Sequence, residues 1–194
     1  PVPTGIDHGT ITVVSGGIPH EVTTFRRDVE TDGRHAVVAF SDTMDEDAAR
    51  RDFTMNALYA DRTGALADPL GGLPDLEARH VRFIGDPQQR IREDYLRILR
   101  FFRFHASYGE GELNSEGLRA CAALVSGIGD LSGERIQAEM KKLLVAKGAP
   151  EVLLAMYGAK ITDVLFPPSD SVANINALAE CENAHGVAPD WVRR

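Results

Sequence analysis

An α+β unit over residues 1–72 followed by an all-α unit over 73–194 is the fold class this sequence predicts. Three observations predict it. Two β-branched runs flank a glycine turn near the start, the breaker Asp68-Pro69-Leu70-Gly71-Gly72 interrupts the chain, and apolar residues recur at helical spacing through most of the remaining chain. With 194 residues and 43% hydrophobic content, the chain holds enough apolar material for one ordinary domain or two small ones.

Taken in order, Thr10-Ile11-Thr12-Val13-Val14-Ser15 and His20-Glu21-Val22-Thr23-Thr24-Phe25 are strands joined through Gly16-Gly17, a hairpin. Ser41 or Asp42 is placed to cap a helix over about 45–58, which carries Arg50, Arg51, Asp52 and Asn56. A second short hairpin, 57–60 with 65–68 around Arg62-Thr63-Gly64, precedes the breaker, and a brief helix covers about 74–79. Asp86-Pro87 reads as the cap and first residue of one helix that continues through Arg103, with Ile91, Tyr95, Leu96, Leu99 and Phe102 as its buried stripe. Four more helices are expected over about 115–125, 132–146, 150–157 and 171–184. The stripes Leu118, Ala122, Val125 and Ile136, Met140, Leu143, Leu144 fit a bundle core.

A net charge of −8 argues against a generic nucleic-acid-binding surface. From Asp86 to Arg103, however, five arginines face three acids, a local excess that would draw an anionic ligand. No apolar stretch approaches a membrane span and no secretory signal opens the chain, so a soluble, cytoplasmic protein is expected. Cys121 and Cys181 stand 60 residues apart with no partner nearby, and are expected to be reduced, buried and inert; neither they nor the six histidines show zinc spacing. The chain begins at Pro1 without an initiator methionine and stops in what resembles a first helical turn at 189–194, so it reads as a fragment.

Within the excess of arginine, Asp94, Arg97 and Arg100 recur at spacing three and would point the same way on a continuous helix. A carboxylate accepts hydrogen bonds and a guanidinium donates them in a planar fork, whereas a base edge presents both kinds of group side by side. Such a ladder suits a nucleotide; a solvated face of acid–base pairs is the plainer alternative.

Four segments then fall in one order: Glu21 to Asp28 (EVTTFRRD), Arg50 to Leu58 (RRDFTMNAL), Asp68 to Leu76 (DPLGGLPDL) and Glu93 to Arg97 (EDYLR). Together they resemble the successive motifs of class II tRNA nucleotidyltransferases, the CCA-adding enzymes, and of the related bacterial poly(A) polymerases, over roughly residues 1–145. The resemblance implies a polymerase-β-like head with an antiparallel sheet and a helical neck. It also implies a Mg²⁺-dependent reaction in which a tRNA 3′-hydroxyl attacks the α-phosphate of CTP or ATP. The family's Gly-Gly turn and D-x-D metal ligands have no counterpart here, so the 194-residue chain alone is expected not to extend tRNA.

By the same resemblance, Glu21 corresponds to a third carboxylate at the metal centre, and Arg51 contacts the triphosphate. Asp52 and Asn56 hold the ribose, while Asp94 and Arg97 pair with the base edge in place of a template strand. Arg100 and Arg103 add nucleotide contacts, and 68–72 is a hinge. The base logic is physical: cytosine N4 and adenine N6 donate to a carboxylate while the adjacent ring nitrogen accepts from a guanidinium, an order that guanine and uracil reverse. The text around Pro3 to Thr10 and Arg82 to Asp86 favours CCA addition; poly(A) addition and a non-catalytic nucleotide- or RNA-binding module are the alternatives.

Overall fold

The computed structural model describes residues 9–31, 36–166 and 174–194. Strands β1 (Thr10–Ser15) and β2 (Ile18–Thr23) pair antiparallel, Thr10 opposite Thr23 and Ser15 opposite Ile18. The turn between them falls on Gly16 and Gly17, both at positive φ (58° and 80°), where a Cβ would be strained. A second pair, β3 (Arg26–Thr31) with β4 (Ala36–Phe40), carries a bulge between Asp28 and Glu30. This pair has no counterpart in the sequence reading, because the run AVVAF lacks the alternation that marks a half-buried strand. The expected second hairpin shrinks to β5 (Tyr59–Ala60) and β6 (Leu66–Ala67). Among the described residues the strands form three separate two-stranded antiparallel ladders.

Helix α1 spans only Met44–Ala49, correcting the helix expected over 45–58, and its cap is Thr43 rather than Ser41 or Asp42. The physical reason lies in Phe53. Its backbone is extended and bridges Phe83, and its ring enters the main core 4.9 Å from that of Phe83. Carrying the helix onward would forfeit that burial, worth about 2–3 kcal/mol for a large side chain. The chain resumes only as a short 3₁₀ turn, Thr54–Asn56.

After α2 (Leu73–Glu77), the helix expected from Asp86 to Arg103 is two helices, α3 (Pro87–Glu93) and α4 (Leu96–Tyr108). Asp94 between them is extended (φ −157°, ψ 106°). Tyr95 seats its ring on the backbone of Gly127, where an added Cβ would lie 2.1 Å from the ring. Asp94 accepts from the Leu96 amide, covering one of the orphan donors that open α4. The remaining helices are α5 (Ser115–Ala123), α6 (Gly133–Leu144), α7 (Ala149–Gly158), α8 (Thr162–Leu165) and α9 (Ile175–Ala184), with a 3₁₀ segment at Val125–Asp130. The expected onset of the last helix at Ser171 lies outside the described residues.

One core unites the helices with part of the first unit. Phe53, Phe83, Phe101 and Phe102 are fully buried, with neighbouring rings 4.9–5.4 Å apart. Met140 and Leu143 of the expected stripes are buried in this core, and Leu118, Val125, Ile136 and Leu144 pack against it. Residues 68–72 are held rather than loose. Asp68 accepts from the amides of Gly72 (2.7 Å) and Leu73 (2.9 Å), and Gly72 lies so close to the Thr54 carbonyl that a Cβ would come within 2.1 Å of its oxygen. Cys121 is buried, and burial pushes its thiol up; Cys181 is exposed, contrary to expectation, because it falls on the solvent side of α9.

Candidate functional site

A cleft of about 870 Å³ opens between the strand-bearing first unit and helices α4 and α6. Six arginines line it (Arg26, Arg50, Arg51, Arg97, Arg100, Arg135) against four carboxylates (Glu21, Asp47, Asp52, Asp94), a positive local balance in an acidic chain.

The first wall is organised by Asp47, a buried residue of α1 absent from the sequence-derived set. Its carboxylate accepts from Arg50 Nε (3.0 Å), Arg51 Nη2 (2.8 Å), Tyr59 Oη (2.8 Å) and the Arg26 amide (3.2 Å). Burial alone would raise its pKa, but the hydrogen bonds from Arg51, Tyr59 and Arg50 outweigh burial and hold it at about 2. Arg51 is thereby fixed while remaining 39% exposed toward the cleft, its guanidinium 5.2 Å from the Tyr59 ring centre. The spacing of Asp47 to Arg50 and Arg51, three and four along a helix, was legible in the sequence.

Asp52 and Asn56 meet as expected, though not on a helix. Asn56 Nδ2 donates to Asp52 Oδ1 at 2.9 Å, beside the Phe53 amide at the same distance, and Arg100 donates to Oδ2 through Nε and Nη2, both at 2.7 Å. Asp52 is buried, which would raise its pKa; Arg100, Asn56 and the Phe53 amide bring it below the usual range. Arg100 therefore ties α4 to the first unit. A second tie comes from Arg90, whose guanidinium donates to the carbonyls of Arg50 and Arg51.

The structure alters the expected ladder. Arg97 lines the cleft, but its side chain is only 13% exposed and donates to Glu93 (2.6 Å), the Arg90 carbonyl (2.8 Å) and the Arg50 carbonyl (3.3 Å). Asp94, on the break rather than on the same helix, pairs with Arg135 of α6 at 2.8 Å. Arg103 does not line the cleft. Its Nε donates to Glu139 of α6 and its guanidinium stacks 4.1 Å from the Phe104 ring centre. The cause is angular: each step of three lags by about 60°, so Arg103 has rotated away from Arg97 and Arg100. Nothing in the local sequence points to Arg135 or Glu139, whose roles arise only when α6 packs on α4.

Glu21 is exposed on β2 and faces the cleft. Among the described residues no group of three or more His, Cys, Asp or Glu is arranged to hold a metal ion, so these residues do not by themselves fit a two-aspartate metal centre.

Residues 2–82 match the family described as Poly A polymerase head domain, and residues 112–172 that described as Probable RNA and SrmB- binding site of polymerase A. The chain belongs to the tRNA nucleotidyltransferase and poly(A) polymerase family. A similar relative is the human CCA tRNA nucleotidyltransferase 1, mitochondrial, 39% identical over 188 residues, which cover 95% of this chain and 43% of that protein. The CCA-adding enzyme of Streptococcus pneumoniae serotype 19F is 40% identical over 180 residues, 92% of this chain and 45% of that one. Among solved structures, the Bacillus stearothermophilus CCA-adding enzyme in complex with CTP superposes with a TM-score of 0.80 at 32% identity, covering 92% of this chain and 43% of that chain. This member of the family thus spans less than half the length of these three relatives. The antiparallel strands and helical second unit agree with the polymerase-type head and helical neck expected of the family. Among the described residues no helix is long and apolar enough to cross a membrane.

Proposed function

We propose that the protein carrying this chain is a template-independent nucleotidyltransferase that adds CCA to tRNA 3′ ends from CTP and ATP. The observation that carries the reading is convergence: Arg51, Asp52, Asn56, Asp94, Arg97 and Arg100, drawn from two separated motifs and the helix that follows the second, line one positively balanced cleft. In this reading Arg51 grips the triphosphate through donors left over from its bonds to Asp47 and to the Asn56 carbonyl. The Asp52–Asn56 pair offers an acceptor and a donor of the kind a ribose hydroxyl needs. Asp94 accepts from the exocyclic amine of cytosine or adenine, and Arg97, rigidly held, donates to the neighbouring ring nitrogen. Guanine and uracil would leave these groups unpaired, a mismatch of about 1–3 kcal/mol per group. Arg100 acts chiefly through Asp52, and Arg103 as a strut to α6 outside the cleft.

The relatives' names support CCA addition, and the structural relative was solved with CTP. A divalent cation, Mg²⁺ in our reading, supplies charge neutralisation in phosphoryl transfer of this class. Glu21 alone does not make its site, and no step is assigned to it. We place the protein in the cytoplasm, whereas the human relative is mitochondrial by name.

The test is incorporation of each of the four nucleotides into tRNA lacking its 3′ CCA by the full-length protein. CTP and then ATP should be used, and Asp94→Ala with Arg97→Ala should relax the choice of base more than it weakens triphosphate binding. Addition of A alone would turn the reading to poly(A) synthesis, and unchanged base preference in the double variant would remove the template role.

A further inference from the structure

Asp94 occupies an unusual place for a residue that must present a carboxylate in fixed orientation. Its backbone leaves the helical path between α3 and α4, and its side chain has two rotatable bonds. Two groups hold it. The Leu96 amide donates to Oδ1 at 3.1 Å, and Arg135 Nη2 donates to Oδ1 at 3.0 Å and to Oδ2 at 2.8 Å. Of about four acceptor positions on a carboxylate, three are thus used, and one on Oδ2 is left to accept from a ligand.

We infer that Arg135 of α6 is a positioning residue for base selection, acting by fixing the Asp94 carboxylate in the cleft from 41 residues further along the chain. The inference rests on the proposed reading of the cleft as a nucleotide site, and deepens it. Arg97 cannot serve this purpose, since its side-chain bonds run to Glu93 and to the carbonyls of Arg90 and Arg50 and none reaches the Asp94 carboxylate. The Arg135–Asp94 pair is partly exposed, with side chains 40% and 29% accessible, so its contribution to stability is small and its value is geometric. It also balances the Asp94 charge where an anionic triphosphate would approach. Because one nitrogen makes both contacts, a lysine at this position should replace much of the function, which would not hold for a two-pronged guanidinium pair.

The experiment is calorimetric titration of the protein with CTP and with UTP, comparing wild type, Asp94→Ala, Arg135→Ala, Arg135→Lys and the double alanine variant. The expected result is a fall of about tenfold in the CTP-to-UTP affinity ratio for Asp94→Ala and a fall of several-fold for Arg135→Ala. Arg135→Lys should recover most of the ratio, and the double variant should behave as Asp94→Ala alone. Melting temperatures of the two Arg135 single variants should stay within about 2 °C of wild type, separating positioning from structural damage. If Asp94→Ala lowers the ratio and Arg135→Ala does not, the inference fails while the nucleotide reading stands. A further fall when Arg135→Ala is added to Asp94→Ala would mean that Arg135 touches the base itself, and positioning would be rejected. If CTP does not bind, or neither single variant moves the ratio, the nucleotide reading falls and the inference with it.

Discussion

On the neck side of the cleft, Phe83, Phe101 and Phe102 are fully buried, and the arginines of α4 project from that packed base. On the head side, Val14, Ile18 and Val22 of the first hairpin are at least half exposed, and the wall keeps its shape through the charged cluster around Asp47. One wall is thus held by close packing and the other by a buried carboxylate with its donors. Their rigidity therefore responds differently to conditions. Apolar packing has no proton to gain or lose, whereas a carboxylate cluster persists only while its acid is ionised.

Four substitutions probe this contrast. Phe101→Ala, in the shared aromatic core, should lower the unfolding free energy by about 3–5 kcal/mol, read from the midpoint of urea unfolding. A loss below about 1 kcal/mol would mean that the neck is not the packed wall.

Asp47→Asn should cost about 2 kcal/mol near neutral pH, the size implied by holding a carboxyl at about 2 against its unfolded value near 3.9. Because the folded pKa is the lower one, this stability is complete above about pH 5 and is lost as pH falls through about 4 toward 2. Urea midpoints measured across that range should decline less steeply in the variant. Parallel curves would show that Asp47 does not organise the head wall.

Between the walls, Gly72→Ala tests whether residues 68–72 act as a packed joint. An added Cβ meets the Thr54 carbonyl, which is backbone and cannot swing aside, so the expected loss is about 1–3 kcal/mol. A neutral result in thermal unfolding would favour a loose connection. The smallest effect should come from Val14→Ala, more than half exposed on β1, at under about 0.5 kcal/mol in the same assay.

How much of this was legible in the sequence depends on the range of the forces involved. The first hairpin was readable because Gly16-Gly17 and the β-branched runs act locally, and the helices beyond residue 86 because their apolar stripes carry their own period. Helix breaks were not. The 45–58 helix stops early because Phe53 is drawn to Phe83, and the 86–103 helix parts at Asp94 and Tyr95 where the tyrosine ring meets Gly127, both contacts between residues at least 30 apart.

The candidate site divides along the same line. From residue types and their order alone came the family, the α+β-then-α architecture, and a set of polar residues of which Arg51, Asp52, Asn56, Asp94, Arg97, Arg100 and Glu21 do line one cleft. Only the tertiary structure decided their partners. Asp52 is bound to Arg100 across 48 residues, Asp94 to Arg135 across 41, and Arg103 is turned to Glu139 outside the cleft. Spacing along a chain states which side chains share a face of their own helix. Which charges neutralise one another depends on distances between elements, and those are set by how the apolar faces pack.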